Sequence, residues 1–265
     1  MIKKGTRHMD IKKLFNLEGK TGFITGGARG IGECIAQAFA ELGADVAIVD
    51  INFDTAQKAA ARIAGETGRK ILPYRCDVAS ADSVAEMMAA YLADYGRIDY
   101  AVNNAGIFTG DSALDIDAKT FESVINVNLN GVFYTAQAAA RQMVKQGTGG
   151  SIISTASMSA QIINRPQTIA NYCASKAAVV HLTKGLAVEL AKHKIRVNCV
   201  SPGYIQTDLI AELKDMLPIW SNMMPEGTRL GYPEDLVGAY VYFASDASQF
   251  ATGSDLVVDG GYTIV

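Results

Sequence analysis

The sequence predicts an α/β fold, namely a single doubly wound domain whose seven-stranded parallel sheet carries helices on both faces. Short apolar runs alternate with amphipathic stretches of helical length along all 265 residues. Strands bounded by such helices form βαβ units, and these units build parallel sheets. No linker, repeat or low-complexity segment divides the chain, so residues 10–265 are expected to form one domain.

Four strands are predicted in the first part of the chain, each a short apolar run. Between them lie amphipathic or Ala-rich stretches of helical length. The first helix ends at Gly43, and the third follows Ser80, a residue type that commonly caps helix N-termini. In order, the elements are strand 21–26, helix 30–43, strand 45–50, helix 54–68, strand 70–78, helix 80–96 and strand 98–106.

The second part of the chain continues the alternation and contains one irregular segment. A long helix is predicted over 117–146, where a run of glycines stops it. The segment 204–232 is rich in proline and glycine and is too long for an ordinary connection, which is typical of a lid over an active site. The other elements are strand 151–157, helix 169–192, strand 195–203, helix 233–246 and strand 253–261.

Composition and charge exclude several classes of protein. The chain has 24 Lys and Arg against 27 Asp and Glu, a net charge of −3, and therefore lacks the basic excess of a nucleic-acid-binding surface. No apolar run is long enough to span a membrane. Residues 1–9 are basic without the apolar region of a signal peptide, so we interpret them as a flexible arm or a remnant of cloning. The expected partner is a small-molecule substrate.

The cysteines and histidines suggest no metal site. None of the four cysteines forms a C-x-x-C pair, and the three histidines are scattered, so no metal-ligand cluster is expected. Each cysteine lies in a run of apolar or small residues, which predicts buried, reduced thiols and a cytoplasmic location. The cysteines are Cys34, Cys76, Cys173 and Cys199.

A glycine-rich turn joins the first predicted strand to the first helix. It reads TGGARGIG over 25–32, and it differs from the literal G-x-G-x-x-G pattern. Glycines at such a turn let backbone N–H groups approach a pyrophosphate at a helix N-terminus. Asp50 ends the second strand, close to the spacing expected for a carboxylate that binds a ribose diol. These features predict a dinucleotide site. Asp77 ends the third strand, where contact with the adenine and capping of a helix remain alternatives.

Polar residues also follow the later strands. The sequence NNAG over 103–106 ends the fourth strand, and Ser157 ends the fifth, with no G-x-S-x-G elbow to suggest an esterase nucleophile. Tyr172 and Lys176 follow within NYCASK, four residues apart, and this spacing stacks them on one face of a helix. A nearby cation would favour the phenolate and lower the pKa of Tyr172. Because the carboxyl ends of parallel strands meet at one edge of a sheet, these groups are expected to converge.

Together these motifs resemble the short-chain dehydrogenase/reductase family. TGGARGIG, NNAG, Ser157 with YCASK over 172–176, and SPGYIQT over 201–207 occur in that family's order and spacing. The match covers residues 17–265 and is similar to the branch of polyol and ketose reductases. The resemblance implies a Rossmann fold, a nicotinamide dinucleotide and a homotetramer. It also implies a catalytic set of Asn128, Ser157, Tyr172 and Lys176, with Ser159 as the alternative serine.

The resemblance further implies a role for each of these residues. Tyr172 would be the general acid in reduction and the base in oxidation, Ser157 would hold the substrate oxygen, and Lys176 would bind the nicotinamide ribose and favour the phenolate. Asn128 would hold a water that links Lys176 to solvent. The implied cofactor-binding residues are Gly26, Arg29, Gly30, Ile31, Gly32, Asp50, Ile51, Asp77, Val78, Asn104, Ala105, Gly106, Tyr172, Lys176, Pro202, Gly203, Ile205 and Thr207.

Cofactor and substrate preference follow from a few side chains. Asp50 would repel a 2′-phosphate, so NAD is expected over NADP, although Arg29 is a contrary signal. Gln161 and Asn164, in the loop after Ser157, are expected to join Ser157 and Tyr172 in binding a substrate with several hydroxyls. The predicted substrate pair is therefore a polyol and a ketose. Apolar cover is expected from Trp220, Met223 and Met224.

Two other functions remain open at this point. The same scaffold would serve a 3-oxoacyl thioester reductase or a general carbonyl reductase, and the apolar residues of the 204–232 segment would suit such substrates. A cofactor-sensing binding protein without catalysis is the alternative from another class, and the complete Asn, Ser, Tyr and Lys set argues against it.

Overall fold

The computed structural model describes residues 10–207, 216–225 and 229–264. Its seven strands form one sheet in the order β3-β2-β1-β4-β5-β6-β7, and every neighbouring pair is parallel. The predicted fold class is thus confirmed. The strands are β1 Thr21–Thr25, β2 Asp45–Asp50, β3 Ile71–Arg75, β4 Tyr100–Asn103, β5 Gly150–Thr155, β6 Ile195–Pro202 and β7 Asp255–Val258.

Helices cover both faces of the sheet. Successive side chains of a strand point to opposite faces, so Ile24 packs in one apolar cluster with α2, α3 and α9, whereas Phe23 packs in a second with α4, α6 and α7. The helices are α1 Ile11–Leu14, α2 Gly30–Glu41, α3 Phe53–Thr67, α4 Ala81–Tyr95, α5 Ala118–Ile125, α6 Gly131–Gln146, α7 Ala170–Leu190, α8 Leu217–Asn222 and α9 Pro233–Ala244.

Local signals in the sequence fix several helix ends. Ser80 caps α4, since its hydroxyl accepts a hydrogen bond from the Ser83 backbone N–H. Gly68 and Gly96 end α3 and α4 in the left-handed conformation, which glycine adopts without steric cost. Of the four cysteines, three are buried and Cys34 is partly exposed. No helix in the described part of the chain is long and apolar enough to cross a membrane.

Two segments differ from the sequence-based expectation. The helix expected over 117–146 is interrupted by a π-helical turn at Asn126–Asn130, between α5 and α6. The segment 204–232, expected to be irregular, contains α8 instead, with Pro218 in its first turn, where proline's missing N–H costs nothing. The rest of that segment is described except for 208–215 and 226–228, and the predicted arm 1–9 also lies outside the described residues.

Candidate active site

Two adjoining cavities open at the carboxyl edge of the sheet. The first lies beside β5, β6 and α7, and the second lies at the ends of β1, β2 and β3. From β1 the chain adds β2 and β3 on one side, and it then returns to add β4 to β7 on the other side. Ligands of open α/β sheets bind at such a switch point, which lies here between β1 and β4. The residues that line both cavities are Ile31, Asn104, Gly106, Ile107 and Thr207.

Nearly all of the predicted cofactor-binding residues line one of these cavities. Tyr172, Lys176, Pro202, Gly203 and Ile205 line the first cavity. Gly32 lines neither cavity, and its assignment as a cofactor contact stays a prediction. The predicted residues that line the second cavity alone are Gly26, Arg29, Gly30, Asp50, Ile51, Asp77, Val78 and Ala105.

The glycine turn has the geometry that a pyrophosphate requires. Gly30 begins α2 with a φ of +57°, where a side chain would be strained. Arg29 precedes the helix without capping it through its side chain, and no side chain among the described residues accepts a hydrogen bond from the first-turn N–H groups. Gly32 serves packing instead, because a Cβ there would lie 2.2 Å from the Gly26 carbonyl oxygen.

Two carboxylates line the second cavity, with Asp50 as the last residue of β2 and Asp77 two residues after β3. Backbone N–H groups hold the Asp50 carboxylate, with Asn52 donating to Oδ1 at 3.0 Å and Ala28 donating to Oδ2 at 3.3 Å. The remaining lone pairs of Asp50 are free for a ligand. Asp77 Oδ1 accepts from the Ala79 N–H, whereas the cap of α4 is Ser80, so Asp77 does not cap that helix.

Asn104 fastens the end of β4 to the end of β1. Its Nδ2 donates to the carbonyl oxygens of Thr25 at 3.1 Å and Gly26 at 3.2 Å, and its Oδ1 accepts from Thr155 Oγ1. The Thr25 hydroxyl in turn accepts from the backbone N–H groups of Asn104 and Ala105. This network fixes the junction between the two cavities, which explains why a sharp turn here carries asparagine rather than another turn residue.

The predicted catalytic serine, tyrosine and lysine meet in the first cavity. Lys176 is buried, and its Nζ donates to the Thr155 carbonyl oxygen at 2.8 Å and lies 5.6 Å from the centroid of the Tyr172 ring. Burial lowers the pKa of Lys176 to about 8, because a desolvated ammonium is costly. Ser157 Oγ donates to Ser159 Oγ at 3.1 Å, so the two candidate serines are neighbours.

In the protein without its cofactor, the pKa of Tyr172 is raised, whereas the sequence predicts a lowering. Burial raises the pKa of the Tyr172 phenol, and its interaction with the Ser157 hydroxyl opposes only part of that rise. The spacing of Tyr172 and Lys176 indicates a nearby cation but gives no information on burial. Desolvation disfavours the charged phenolate and is the largest influence on this pKa. Phe108, which the sequence analysis missed, packs edge-to-face on the Tyr172 ring with centroids 5.8 Å apart.

Asn128 lies fully buried in the π-helical turn. Its Nδ2 donates to the Ile107 carbonyl oxygen at 2.9 Å and to Ser175 Oγ at 3.1 Å, and its Oδ1 accepts from the Ile107 N–H at 2.8 Å. Both amide hydrogens are therefore used within the protein, and only Oδ1 retains a free lone pair. Asn128 thus joins the loop after β4 to helix α7. π-Helical turns are frequent at functional sites.

Gly106 leaves a small polar space beside these groups. A Cβ at this position would lie 3.3 Å from Asn128 Oδ1 and 3.5 Å from Lys176 Nζ. A side chain would therefore fill the space in which a cofactor hydroxyl or a water can contact the lysine. Together with the glycine turn and Asp50, this space fits a nicotinamide dinucleotide.

The predicted substrate residues divide into one that lines the first cavity and one that does not. Asn164 is buried in its wall, and Asn164 Oδ1 has no hydrogen-bond partner among the described residues. Gln161 is exposed instead and does not line the cavity, and its Nε2 donates to Asp255 Oδ2 at 2.9 Å. Its role as a substrate contact stays a prediction. Gln167 lines the cavity and was not predicted, because no local sequence pattern shows that this part of the loop faces the cavity.

The segment after β6 supplies another wall of the first cavity. Tyr204 and Trp220 both line it, and their rings stack with centroids 4.0 Å apart. Trp220 is fully buried, and no described residue accepts a hydrogen bond from its Nε1. Met224 packs with this pair in one apolar cluster and Met223 is exposed, and neither methionine lines the cavity.

The parallel sheet has a glycine turn after its first strand, and a lysine lies beside a phenol at its edge. These features define the class of the protein, which is that of the dinucleotide-dependent oxidoreductases. Residues 26–263 match a family model described as Enoyl-(Acyl carrier protein) reductase. The chain belongs to the short-chain dehydrogenase/reductase family and is an NAD(P)-dependent enzyme acting on CH–OH groups.

Relatives and solved structures are similar over nearly their whole length. Sorbose reductase sou1 of Schizosaccharomyces pombe is 45% identical, over 94% of this chain and 98% of the relative. NADP-dependent mannitol dehydrogenase of Aureobasidium melanogenum is 41% identical, over 98% and 97%. A short-chain type dehydrogenase/reductase from Mycobacterium marinum superposes with a TM-score of 0.94 at 52% identity, over 97% of this chain and 100% of that one.

Proposed function

We propose that this enzyme interconverts a polyol and a ketose. The observation that carries the proposal is the buried, unpartnered Oδ1 of Asn164 in the wall of the first cavity. A buried amide oxygen without a partner is costly, and a substrate hydroxyl would remove that cost. The names of the sorbose reductase and mannitol dehydrogenase relatives support the same substrate class.

Tyr172, Ser157 and Lys176 divide the catalytic work in this proposal. The bound nicotinamide supplies or accepts the hydride. Tyr172 gives its phenolic proton to the substrate oxygen in reduction and takes it back in oxidation. Ser157 holds that oxygen beside the phenol by a hydrogen bond. Lys176 places a positive charge near the phenol, and a positive charge there favours the phenolate.

Asn128 has two functions in this proposal. Its amide hydrogens hold Ile107 and Ser175, and so position the loop and the helix that flank the cofactor. Its Oδ1 and the Nζ of Lys176 border the space beside Gly106. A water in that space would accept from the lysine and donate to the amide oxygen, and would connect Lys176 with solvent.

A panel of substrates tests the substrate class. Fructose, sorbose, xylulose and ribulose are compared with 2-hexanone and an acetoacetyl thioester, each with NADH and with NADPH. We expect one ketose to give the highest kcat/KM. A tenfold advantage for the thioester or the plain ketone, about 1.4 kcal/mol in transition-state binding, would overturn the polyol assignment. The stacked Tyr204 and Trp220 are the feature that favours that alternative.

NAD is the proposed cofactor, because Asp50 faces the second cavity and a carboxylate there repels a 2′-phosphate. We expect Asp50→Ala to lower the ratio of kcat/KM for NADH to that for NADPH by about 10- to 100-fold, the size of one hydrogen bond to a charged group. Steady-state kinetics with both cofactors measure this ratio. The relative named an NADP-dependent mannitol dehydrogenase makes the comparison necessary.

Two controls accompany the Asp50 variant. Asp54→Ala removes an equal charge from the exposed start of α3 and should leave the cofactor ratio unchanged. Asp50→Asn removes the charge but keeps one oxygen, which can accept from either Asn52 or Ala28, and it should shift the ratio in the same direction as Asp50→Ala. A wild-type enzyme with higher kcat/KM for NADPH contradicts the NAD assignment.

The proposed assembly is a homotetramer in the cytoplasm. Apolar side chains on the outer surface of the described chain support association, since Val188 is 81% exposed and Phe250 is fully exposed. Sedimentation equilibrium of the purified protein measures the assembly, and a monomer at micromolar concentration would contradict it.

A further inference from the structure

Gln167 lies in the loop between β5 and α7, at the wall of the first cavity. Its backbone N–H donates to the Asn164 carbonyl oxygen at 2.8 Å, which closes a tight turn, and both amide side chains contact the Tyr204 hydroxyl. Gln167 is only partly buried, so a ligand in the cavity can reach it.

A short hydrogen-bond chain fixes the orientation of the Gln167 amide. The Tyr204 hydroxyl donates to Gln167 Oε1 at 2.7 Å, and it accepts from Asn164 Nδ2 at 3.2 Å. A phenol has one hydrogen to donate, and burial raises the pKa of Tyr204, so the hydrogen is retained. The Gln167 oxygen is therefore occupied, and its NH₂ group is left for another partner.

Tyr204, which anchors this hydrogen-bond chain, is held rigidly. Tyr204 is buried, stacks on Trp220 at an interplanar angle of 15°, and receives the edge of Tyr262 with ring centroids 5.2 Å apart. Its hydroxyl therefore has a fixed position at the cavity wall. A donor held in place before the ligand arrives loses little conformational entropy on binding.

We propose that Gln167 is a specificity-determining residue whose Nε2 donates a hydrogen bond to a substrate hydroxyl other than the reacting one. Nε2 has no hydrogen-bond partner among the described residues, and its side chain lines the cavity that holds Ser157 and Tyr172. A site built to bond a hydroxyl rejects analogues that lack it. This inference rests on the proposed polyol–ketose activity.

Gln167→Met tests the inference, because methionine is of similar length and has no amide. We expect kcat/KM for the best ketose to fall about tenfold, the value of one well-placed hydrogen bond. The kcat/KM for 2-hexanone should stay unchanged. Deoxyketoses that lack one hydroxyl at a time identify the contact, since the analogue without the bonded hydroxyl should react equally well with both enzymes.

Two tyrosine variants complete the experiment. Tyr204→Phe keeps the stack on Trp220 and removes the anchor of Gln167, and it should reduce the preference for the ketose over 2-hexanone. Tyr242→Phe is the matched control, because it removes a phenolic hydroxyl from α9 and its side chain lines neither cavity. That variant should preserve the preference.

The outcomes separate the inference from the proposed function. If the wild-type enzyme prefers 2-hexanone or the thioester, the substrate class itself is wrong. If the wild type prefers a ketose and Gln167→Met lowers kcat/KM equally for the ketose and for 2-hexanone, only the specificity role of Gln167 is overturned. Melting temperatures of all variants show whether a loss of folded protein accounts for any change.

Discussion

Replacement of Tyr172 with phenylalanine should nearly abolish turnover while the cofactor still binds. The substitution removes only the hydroxyl that would exchange a proton with the substrate oxygen, and it keeps the ring against Phe108. General acid–base groups typically contribute about 10²–10⁴-fold to the rate, so kcat should fall by that factor. Ketose reduction measures the rate, and the fluorescence of bound NADH measures cofactor affinity.

Tyr134→Phe provides the comparison for this result. It removes the same hydroxyl from α6, where the side chain lines neither cavity. That variant should retain wild-type kcat. Near-normal turnover in Tyr172→Phe would reject the proton-transfer role, and a parallel loss of NADH binding would point to a distorted site instead.

Replacement of Lys176 with methionine is the second change with a large expected effect. The lysine would contact the cofactor ribose and stabilise the phenolate, so both cofactor affinity and kcat should fall. The loss of a charged hydrogen bond, about 1.5–3 kcal/mol, corresponds to a factor of about 10–100 in affinity. Lys184→Met is the matched control, because Lys184 lies on the same helix with its side chain exposed.

The pH dependence of the wild type distinguishes a charged lysine from a merely structural one. Burial lowers the pKa of Lys176 to about 8, so the side chain is cationic below that pH and becomes neutral above it. The kcat/KM for NADH should therefore be level below pH 8 and fall above it, since this parameter reports ionisations of the free enzyme. In Lys176→Met this decline should disappear. A decline of the same shape in the variant would assign it to another group.

Most of the fold could be predicted from local patterns in the sequence. Strands such as Asp45–Asp50 are short apolar runs at the predicted position, and Ser80 caps its helix as its residue type suggests. The π-helical turn at Asn126–Asn130 was not predicted. The asparagines in this stretch have a low helix propensity, which shows that a regular helix is unfavourable there but does not specify what replaces it. Its geometry depends on the bonds from Asn128 to Ile107 and Ser175, which no local pattern contains.

The candidate site was less predictable where it depends on contacts between distant residues. Gln161 and Gln167 are the same residue type in the same loop, yet Gln161 bonds Asp255 and Gln167 bonds Tyr204. Both partners come from strands or segments later in the chain. Burial raises the pKa of Tyr172 in the protein without its cofactor, and this effect was not predicted, because spacing reveals a neighbouring charge but not the depth of burial.

The strand order also has a consequence for how this protein folds. Strand β1 pairs with β4, where Gly22 lies opposite Tyr100, whereas strands β1 to β3 and β4 to β7 each join neighbours that follow directly in the chain. Pairing between distant strands requires closure of a long loop and is slow. The cofactor cleft exists only after the two halves of the sheet have joined at that seam. Cofactor binding therefore stabilises the joined sheet more than either half, and couples the thermal stability of the whole domain to the cellular concentration of the dinucleotide.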